Sequence, residues 1–85
     1  MSTKLFIGNL SWGATDDMLR DAFGAYGELE DVFIMKDRAT GRSKGFAFVT
    51  FANEDDAHKA VEALNGSEID GREIVVDVAK PKREF

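Results

Sequence analysis

The sequence predicts an α+β fold, in which two helices pack on one face of a four-stranded antiparallel sheet. Four segments have the short apolar runs or the alternation typical of strands, and two others have apolar residues at helical spacing. Their order along the chain is β-α-β-β-α-β. Right-handed crossovers within each βαβ unit place both helices on the same face and leave the other face of the sheet open. The 85 residues leave room for one domain.

The first half of the chain contains a strand, a helix and a second strand. Residues 5–10 form a short apolar run that ends at a Ser-Trp-Gly turn. Thr15 is a typical N-cap residue, and Asp16 and Asp17 follow it with the charge that the helix dipole favours in a first turn. Residues 28–36 alternate between apolar and polar side chains, which predicts the second strand.

The second half repeats this pattern with a third strand, a second helix and a last strand. Residues 44–51 give the strongest strand signal in the chain. Asn53 is the expected N-cap of the helix that follows. Asp70 and Gly71 predict a tight hairpin turn into a last strand over residues 73–79. This order of elements is that of the ferredoxin-like sandwich.

The alternation within the third strand decides which of its side chains face water. The alternate positions on one face are Lys44, Phe46, Phe48 and Thr50. Burying an unpaired lysine is costly, so this face is the open one. The same reasoning turns Phe6 outward on the first strand, and Phe33 and Met35 outward on the second. The sequence therefore predicts three or four phenylalanines on an uncovered face of the sheet.

The formal net charge of −5 would argue against a nucleic-acid partner if it were spread evenly. It is segregated instead. Residues 16–27 and 53–64, the predicted helices, carry local charges of −2 and −3, whereas residues 36–44 carry +3 and residues 80–85 carry +2. A ligand responds to the charge within about a Debye length, roughly 8 Å, more than to the total. The total charge therefore excludes no partner.

The predicted row of phenylalanines has two explanations. Each ring offers about 150 Å² or more, so three rings reach the size of the largest apolar patches on monomeric proteins. Either a missing helix or a partner chain covers the rings, or the rings stack the bases of a single strand beside cations that hold its phosphates. We favour stacking, because basic segments flank the predicted sheet.

Two segments resemble the signature motifs of a known family. The RNP octapeptide of RNA recognition motifs is matched at every specified position by residues 44–51, which read Lys-Gly-Phe-Ala-Phe-Val-Thr-Phe. The companion hexapeptide is matched by residues 5–10, Leu-Phe-Ile-Gly-Asn-Leu. The chain resembles glycine-rich or cold-inducible RNA-binding proteins and chloroplast ribonucleoproteins. The resemblance implies an RNA recognition motif over residues 3–82.

The resemblance also implies roles for individual residues. Phe6 and Phe48 would each stack one base, and Phe46 would lie between sugars or bases. Lys44 would reach a phosphate, and the main chain of Ala79 and Lys80 would pair with base edges. The residues expected to contact RNA are Lys4, Phe6, Asn9, Trp12, Phe33, Met35, Arg42, Lys44, Phe46, Phe48, Ala79, Lys80 and Lys82.

Three of these assignments have alternatives of similar weight. Trp12 flanks a further base, or it is a hydrophobic lid on the helix side. Phe33 and Met35 extend the row of rings, or they only pack against the long loop that follows the second strand. The basic loop from Arg38 to Arg42 contacts nucleic acid, or it is an ordinary solvated hairpin.

The predicted function is the binding of single-stranded RNA without catalysis, cofactor or metal. The rival from another class is a protein-interaction module that uses the sheet or the acidic helices. An enzyme of the acylphosphatase kind shares the topology, but no anion-binding loop with the required arginine and asparagine is evident. Single-stranded DNA stays open as a ligand, because stacking does not distinguish the sugars. The chain is expected to be intracellular, since it shows neither a leader nor an apolar run long enough to span a membrane. It is also expected to be a monomer.

Overall fold

A computed structural model of the chain describes residues 3–79, which form one four-stranded sheet, one two-stranded hairpin and two helices. In chain order the elements are β1 (Lys4–Gly8), α1 (Asp16–Gly24), β2 (Leu29–Lys36), β3 (Ser43–Phe51), α2 (Glu54–Leu64), β4 (Glu68–Ile69), β5 (Arg72–Glu73) and β6 (Val75–Val78). The large sheet has the order β2-β3-β1-β6, and all of its neighbours are antiparallel. The predicted α+β, ferredoxin-like fold is confirmed.

The last strand differs from its prediction. Residues 73–79 do not form one strand, because Glu73 belongs to β5 and pairs with Glu68 of β4. Asp70 and Gly71 both have positive φ angles, 54° and 81°, and turn the chain tightly between β4 and β5, as predicted. The backbone N–H and C=O groups of β5 are directed to β4 in this hairpin and not to β1. The chain therefore joins the large sheet only at Val75, opposite Gly8 of β1.

Both helices begin at the residues that the sequence indicates. The Thr15 hydroxyl accepts a hydrogen bond from the Met18 N–H at 3.2 Å. The Asn53 side-chain oxygen accepts one from the Asp55 N–H at 2.8 Å. Each side chain thus satisfies one of the free N–H groups of its first helical turn. Neither helix of the described residues has the length and apolar character needed to cross a membrane.

The hydrophobic core lies on the face of the sheet opposite the predicted phenylalanine row. Leu5 and Ile7 of β1 are fully buried, as are Val49 and Phe51 of β3. The Phe51 ring meets the Phe23 ring of α1 edge-on, with the ring centroids 6.4 Å apart. The buried positions of β2 alternate in the same way. The faces predicted for these three strands are therefore confirmed.

This core makes a prediction about stability. Phe51→Ala removes a fully buried ring and should lower the free energy of unfolding by about 3–5 kcal/mol. Phe33→Ala removes the same ring from a position on β2 that is 53% exposed, so the loss should stay below about 1 kcal/mol. Urea denaturation of the two variants measures both losses. Equal losses would contradict the assignment of the two faces.

Candidate nucleic-acid interface

Three phenylalanine rings form a contiguous cluster on the open face, here called the aromatic platform: Phe6 of β1, and Phe46 and Phe48 of β3. Phe6 and Phe48 are direct neighbours in the antiparallel register of the two strands. The ring centroids of Phe6 lie 6.0 Å from Phe46 and 5.8 Å from Phe48, and those of Phe46 and Phe48 lie 6.3 Å apart. These are contact distances for aromatic pairs. The octapeptide and the hexapeptide therefore build a single surface.

The rings of the aromatic platform are less exposed than the sequence suggests. Alternation alone predicts rings that stand in water, but all three are half-buried. The reason is that each ring covers part of the other two. The three rings thus hold one another in place before any ligand binds.

Gly8 gives the Phe6 ring its place on the sheet. A Cβ atom at Gly8 would lie 3.0 Å from Cε2 and 3.4 Å from Cζ of Phe6. The ring therefore lies over the backbone of Gly8. A side chain there would push the ring aside, so the glycine of the hexapeptide has a packing function at the platform.

The strands on either side of the platform differ: β2 adds further apolar side chains, and β6 adds a carboxylate. Phe33 of β2 stands opposite Phe48, and its side chain is 53% exposed. Met35, two residues further along β2, is half-buried. On the other side of the platform, Asp77 of β6 stands opposite Phe6 and is exposed. Sequence reasoning missed this carboxylate, although the apolar residues flanking it in the last strand indicate that it faces out.

Three of the predicted cations lie around the platform. The ammonium of Lys4 sits 4.6 Å from the centroid of the Phe48 ring, which is a cation–π distance. Lys44 is exposed beside Phe46 at the start of β3. Arg42 is exposed in the loop before β3. Lys80 and Lys82 lie outside the described residues.

Asn9 and Ala79 have structural contacts in the described chain. The Asn9 amide donates a hydrogen bond to the Glu73 carbonyl at 2.5 Å, and its oxygen accepts one from the Arg72 guanidinium at 3.0 Å. These bonds join the end of β1 to the β4–β5 hairpin. The Ala79 N–H donates to the Lys4 carbonyl at 2.8 Å, which continues the pairing of β6 with β1. The RNA contacts expected of Asn9 and Ala79 stay predictions.

Trp12 is held in a tight turn after β1, with its side chain outside. Its carbonyl accepts a hydrogen bond from the Ser43 N–H at 3.2 Å, which ties the turn to the start of β3. The preceding hydroxyl, that of Ser11, donates to the Asp70 carboxylate at 2.7 Å and ties the same turn to the hairpin. The Trp12 side chain is 64% exposed. This exposure does not favour a hydrophobic lid on the helix side, and the contact of Trp12 with RNA stays a prediction.

The exposed indole borders a pocket beside the platform, here called the loop pocket. Its volume is about 460 Å³, and its lining residues are Trp12, Asp37, Thr40, Arg42, Ser43, Lys44 and Phe46. Phe46 therefore belongs to both the platform and the loop pocket. Sequence reasoning missed Asp37, Thr40 and Ser43, because it treated the loop only as a source of positive charge.

Comparison with known proteins identifies the family. Residues 5–75 match the family model of the RNA recognition motif. Glycine-rich RNA-binding protein 1 of Mycosarcoma maydis is 54% identical over 82 residues, which are 96% of this chain and 47% of that protein. The mitochondrial glycine-rich RNA-binding protein 2 of Arabidopsis thaliana is 50% identical over 96% of this chain and 52% of its own length.

Solved structures agree with this result. The structure of the Sxl-lethal protein/RNA complex superimposes with a TM-score of 0.85 and 37% sequence identity, over 91% of this chain and 47% of that one. The chain belongs to the RNA recognition motif family. It spans about half the length of the curated relatives that it matches.

The exposure of Trp12 is testable without a ligand, because it is the only tryptophan of the chain. At 64% exposure, its fluorescence should have an emission maximum close to that of N-acetyl-tryptophanamide and nearly the same sensitivity to acrylamide. Emission spectra and quenching of the native protein measure both properties. A blue-shifted emission that acrylamide hardly quenches would contradict the exposed position of the indole in the lining of the loop pocket.

Proposed function

We propose that this RNA recognition motif binds a short single-stranded RNA on the open face of its sheet, without catalysis. One base stacks on Phe6 and another on Phe48, and Phe46 lies between sugars or bases. The observation that supports this proposal is the contact among the three rings, which groups them on one side of the sheet, with the Phe6 and Phe46 planes 29° apart and the Phe48 plane inclined by 62° and 85° to them. Base–aromatic stacking contributes about 1–3 kcal/mol per base and tolerates many sequences.

The phosphates of the bound strand are assigned to cations around the platform. Lys44 and Arg42 are exposed on one side of it. Lys4 lies over the Phe48 ring, where a stacked base and the ammonium compete for one face. A base that stacks there displaces the ammonium, which then reaches a neighbouring phosphate. The exposed carboxylate of Asp77 repels phosphate at the opposite edge of the sheet.

Residues 3–82 act as a monomeric RNA recognition motif, with Lys80 and Lys82 as further phosphate contacts outside the described residues. Phe33 extends the platform by one strand, and Asn9, Met35 and Ala79 belong to its rim. RNA is the proposed ligand, and single-stranded DNA is the competing one. An intracellular location is also proposed; one of the relatives above is named as mitochondrial.

The platform predicts the effect of removing single rings. Phe6→Ala and Phe48→Ala should each weaken RNA binding by about 1–3 kcal/mol, because each removes one stacking surface. Each should also destabilise the fold less than Phe51→Ala does, since these rings are only half-buried. Fluorescence titrations with RNA, alongside thermal melts, separate binding from folding.

A matched control for these ring variants is Met18→Ala, which removes an exposed apolar side chain from α1 on the helix side. This variant should bind RNA as the native protein does. RNA affinity that is unchanged in both ring variants would overturn the stacking proposal and favour the protein-interaction module. Parallel titrations with DNA of the same sequence report the preference between the two sugars.

The number of cations near the platform predicts a weak salt dependence. If about three phosphates are neutralised, at roughly −0.7 per phosphate for a single strand, the log–log slope of affinity against salt should be about −2. A fourfold rise in salt then weakens binding about 10- to 20-fold. Titrations at four salt concentrations measure the slope. A slope steeper than about −5 would mean that general charge attraction, and not stacking, dominates the affinity.

A further inference from the structure

The loop pocket contains two opposite charges that do not pair with each other. Asp37 and Arg42 both line it, together with the indole of Trp12 and the ring of Phe46. Within residues 3–79, the ion pairs include none between the Asp37 carboxylate and the Arg42 guanidinium. The hydrogen bonds of this part of the chain leave the guanidinium of Arg42 without a partner, although its backbone N–H is used. An acceptor and a donor thus face one space beside an exposed aromatic surface.

Backbone hydrogen bonds hold both charged residues at the base of the loop. The Asp37 N–H donates to the Arg42 carbonyl, and the Asp37 carbonyl accepts from the Gly41 N–H, each at 2.7 Å. One carboxylate oxygen of Asp37, Oδ1, accepts from the Ala39 N–H at 2.7 Å. The second oxygen, Oδ2, has no hydrogen bond within the described chain. The carboxylate is therefore oriented by the loop while one of its oxygens stays available.

We propose that the loop pocket binds one guanine of the RNA, and this inference rests on the proposed function because Phe46 joins the pocket to the platform. Guanine presents two adjacent donors, N1–H and the 2-amino group, which suit a carboxylate that only accepts: Oδ2 of Asp37 accepts one, and Oδ1 accepts the other with the lone pair that the Ala39 N–H does not use. The O6 and N7 atoms of guanine are acceptors that suit an arginine. The base lies against the Trp12 indole.

The other bases fit this pocket less well. Adenine and cytosine present one amino group next to an unprotonated ring nitrogen, and that nitrogen repels the second oxygen of a carboxylate. Uracil presents its single N3–H between two carbonyl oxygens, so one of these oxygens faces the carboxylate. Asp37 thereby determines specificity, and the platform contributes affinity that is largely independent of sequence.

The test uses a uridine octamer and a series of octamers in which a single guanine replaces each uridine in turn. In at least one register, the guanine octamer should bind the native protein about fivefold tighter or more than the uridine octamer, as expected for one bidentate pair. Replacing that guanine by inosine, which lacks the 2-amino group, should remove most of the gain. Binding titrations at one fixed salt concentration measure all of these ratios.

Asp37→Asn is the decisive variant. Its side-chain oxygen can still accept from the Ala39 N–H, so the loop keeps this bond. Its amide nitrogen takes the place of the free oxygen and meets the guanine donors with a further donor. The guanine preference should therefore disappear, while affinity for the uridine octamer changes less than twofold. Asp55→Asn, which removes the same charge from the exposed first turn of α2, should keep the preference.

The outcomes separate this inference from the proposed function. A guanine preference that persists in Asp37→Asn, or no guanine preference in any register, would overturn the guanine site. Either result leaves RNA binding intact if Phe48→Ala still weakens binding of the uridine octamer. Arg42→Gln provides a second test of the site. A loss of affinity that is larger for the guanine octamer than for the uridine octamer supports the guanine site, and an equal loss for both octamers contradicts the role of Arg42 in it.

Discussion

The antiparallel pairing of β1 with β3 is the constraint on which the rest of the structure depends. It sets Phe6 opposite Phe48 and Leu5 opposite Val49. Since side chains alternate across a strand, this register places the rings on one face and the aliphatic core on the other. A shift of one residue would turn one strand's aliphatic side chains to water and its aromatic ones toward the helices. Stability of the fold and assembly of the platform thus follow from a single arrangement of two strands.

The parts of the fold that depend on local patterns could be predicted from the sequence. The lysine at position 44 decides the open face of β3 because a period of two assigns every other residue of the strand to that face. Thr15 and Asn53 begin helices because each side chain accepts a hydrogen bond within its own first turn. The octapeptide and the hexapeptide placed the platform on the correct face for the same reason.

The parts that depend on distant contacts could not be predicted. The mutual cover of the three platform rings arises between two strands and is invisible to alternation within one. The position of Trp12 depends on bonds that reach forward to Ser43 and, through Ser11, to Asp70. The predicted start of the last strand was wrong because Glu73 pairs locally in the hairpin rather than with β1. In the sequence, Asp37 only lowers the net positive charge of residues 36–44. The folded loop brings it into the same pocket lining as the Trp12 indole.

The segregation of charge has a consequence for how the protein meets its ligand. Acidic residues occupy the first turns of both helices, whereas Lys4 and Lys44 lie on the sheet side. The charge is therefore unevenly distributed in spite of the negative total, although Asp31 and Asp77 place carboxylates on the sheet side as well. A polyanion is repelled most strongly at the first turns of the helices and least near Lys4 and Lys44. Such an imbalance favours encounters in which the sheet faces the polyanion, and it does so without adding a contact to the final complex.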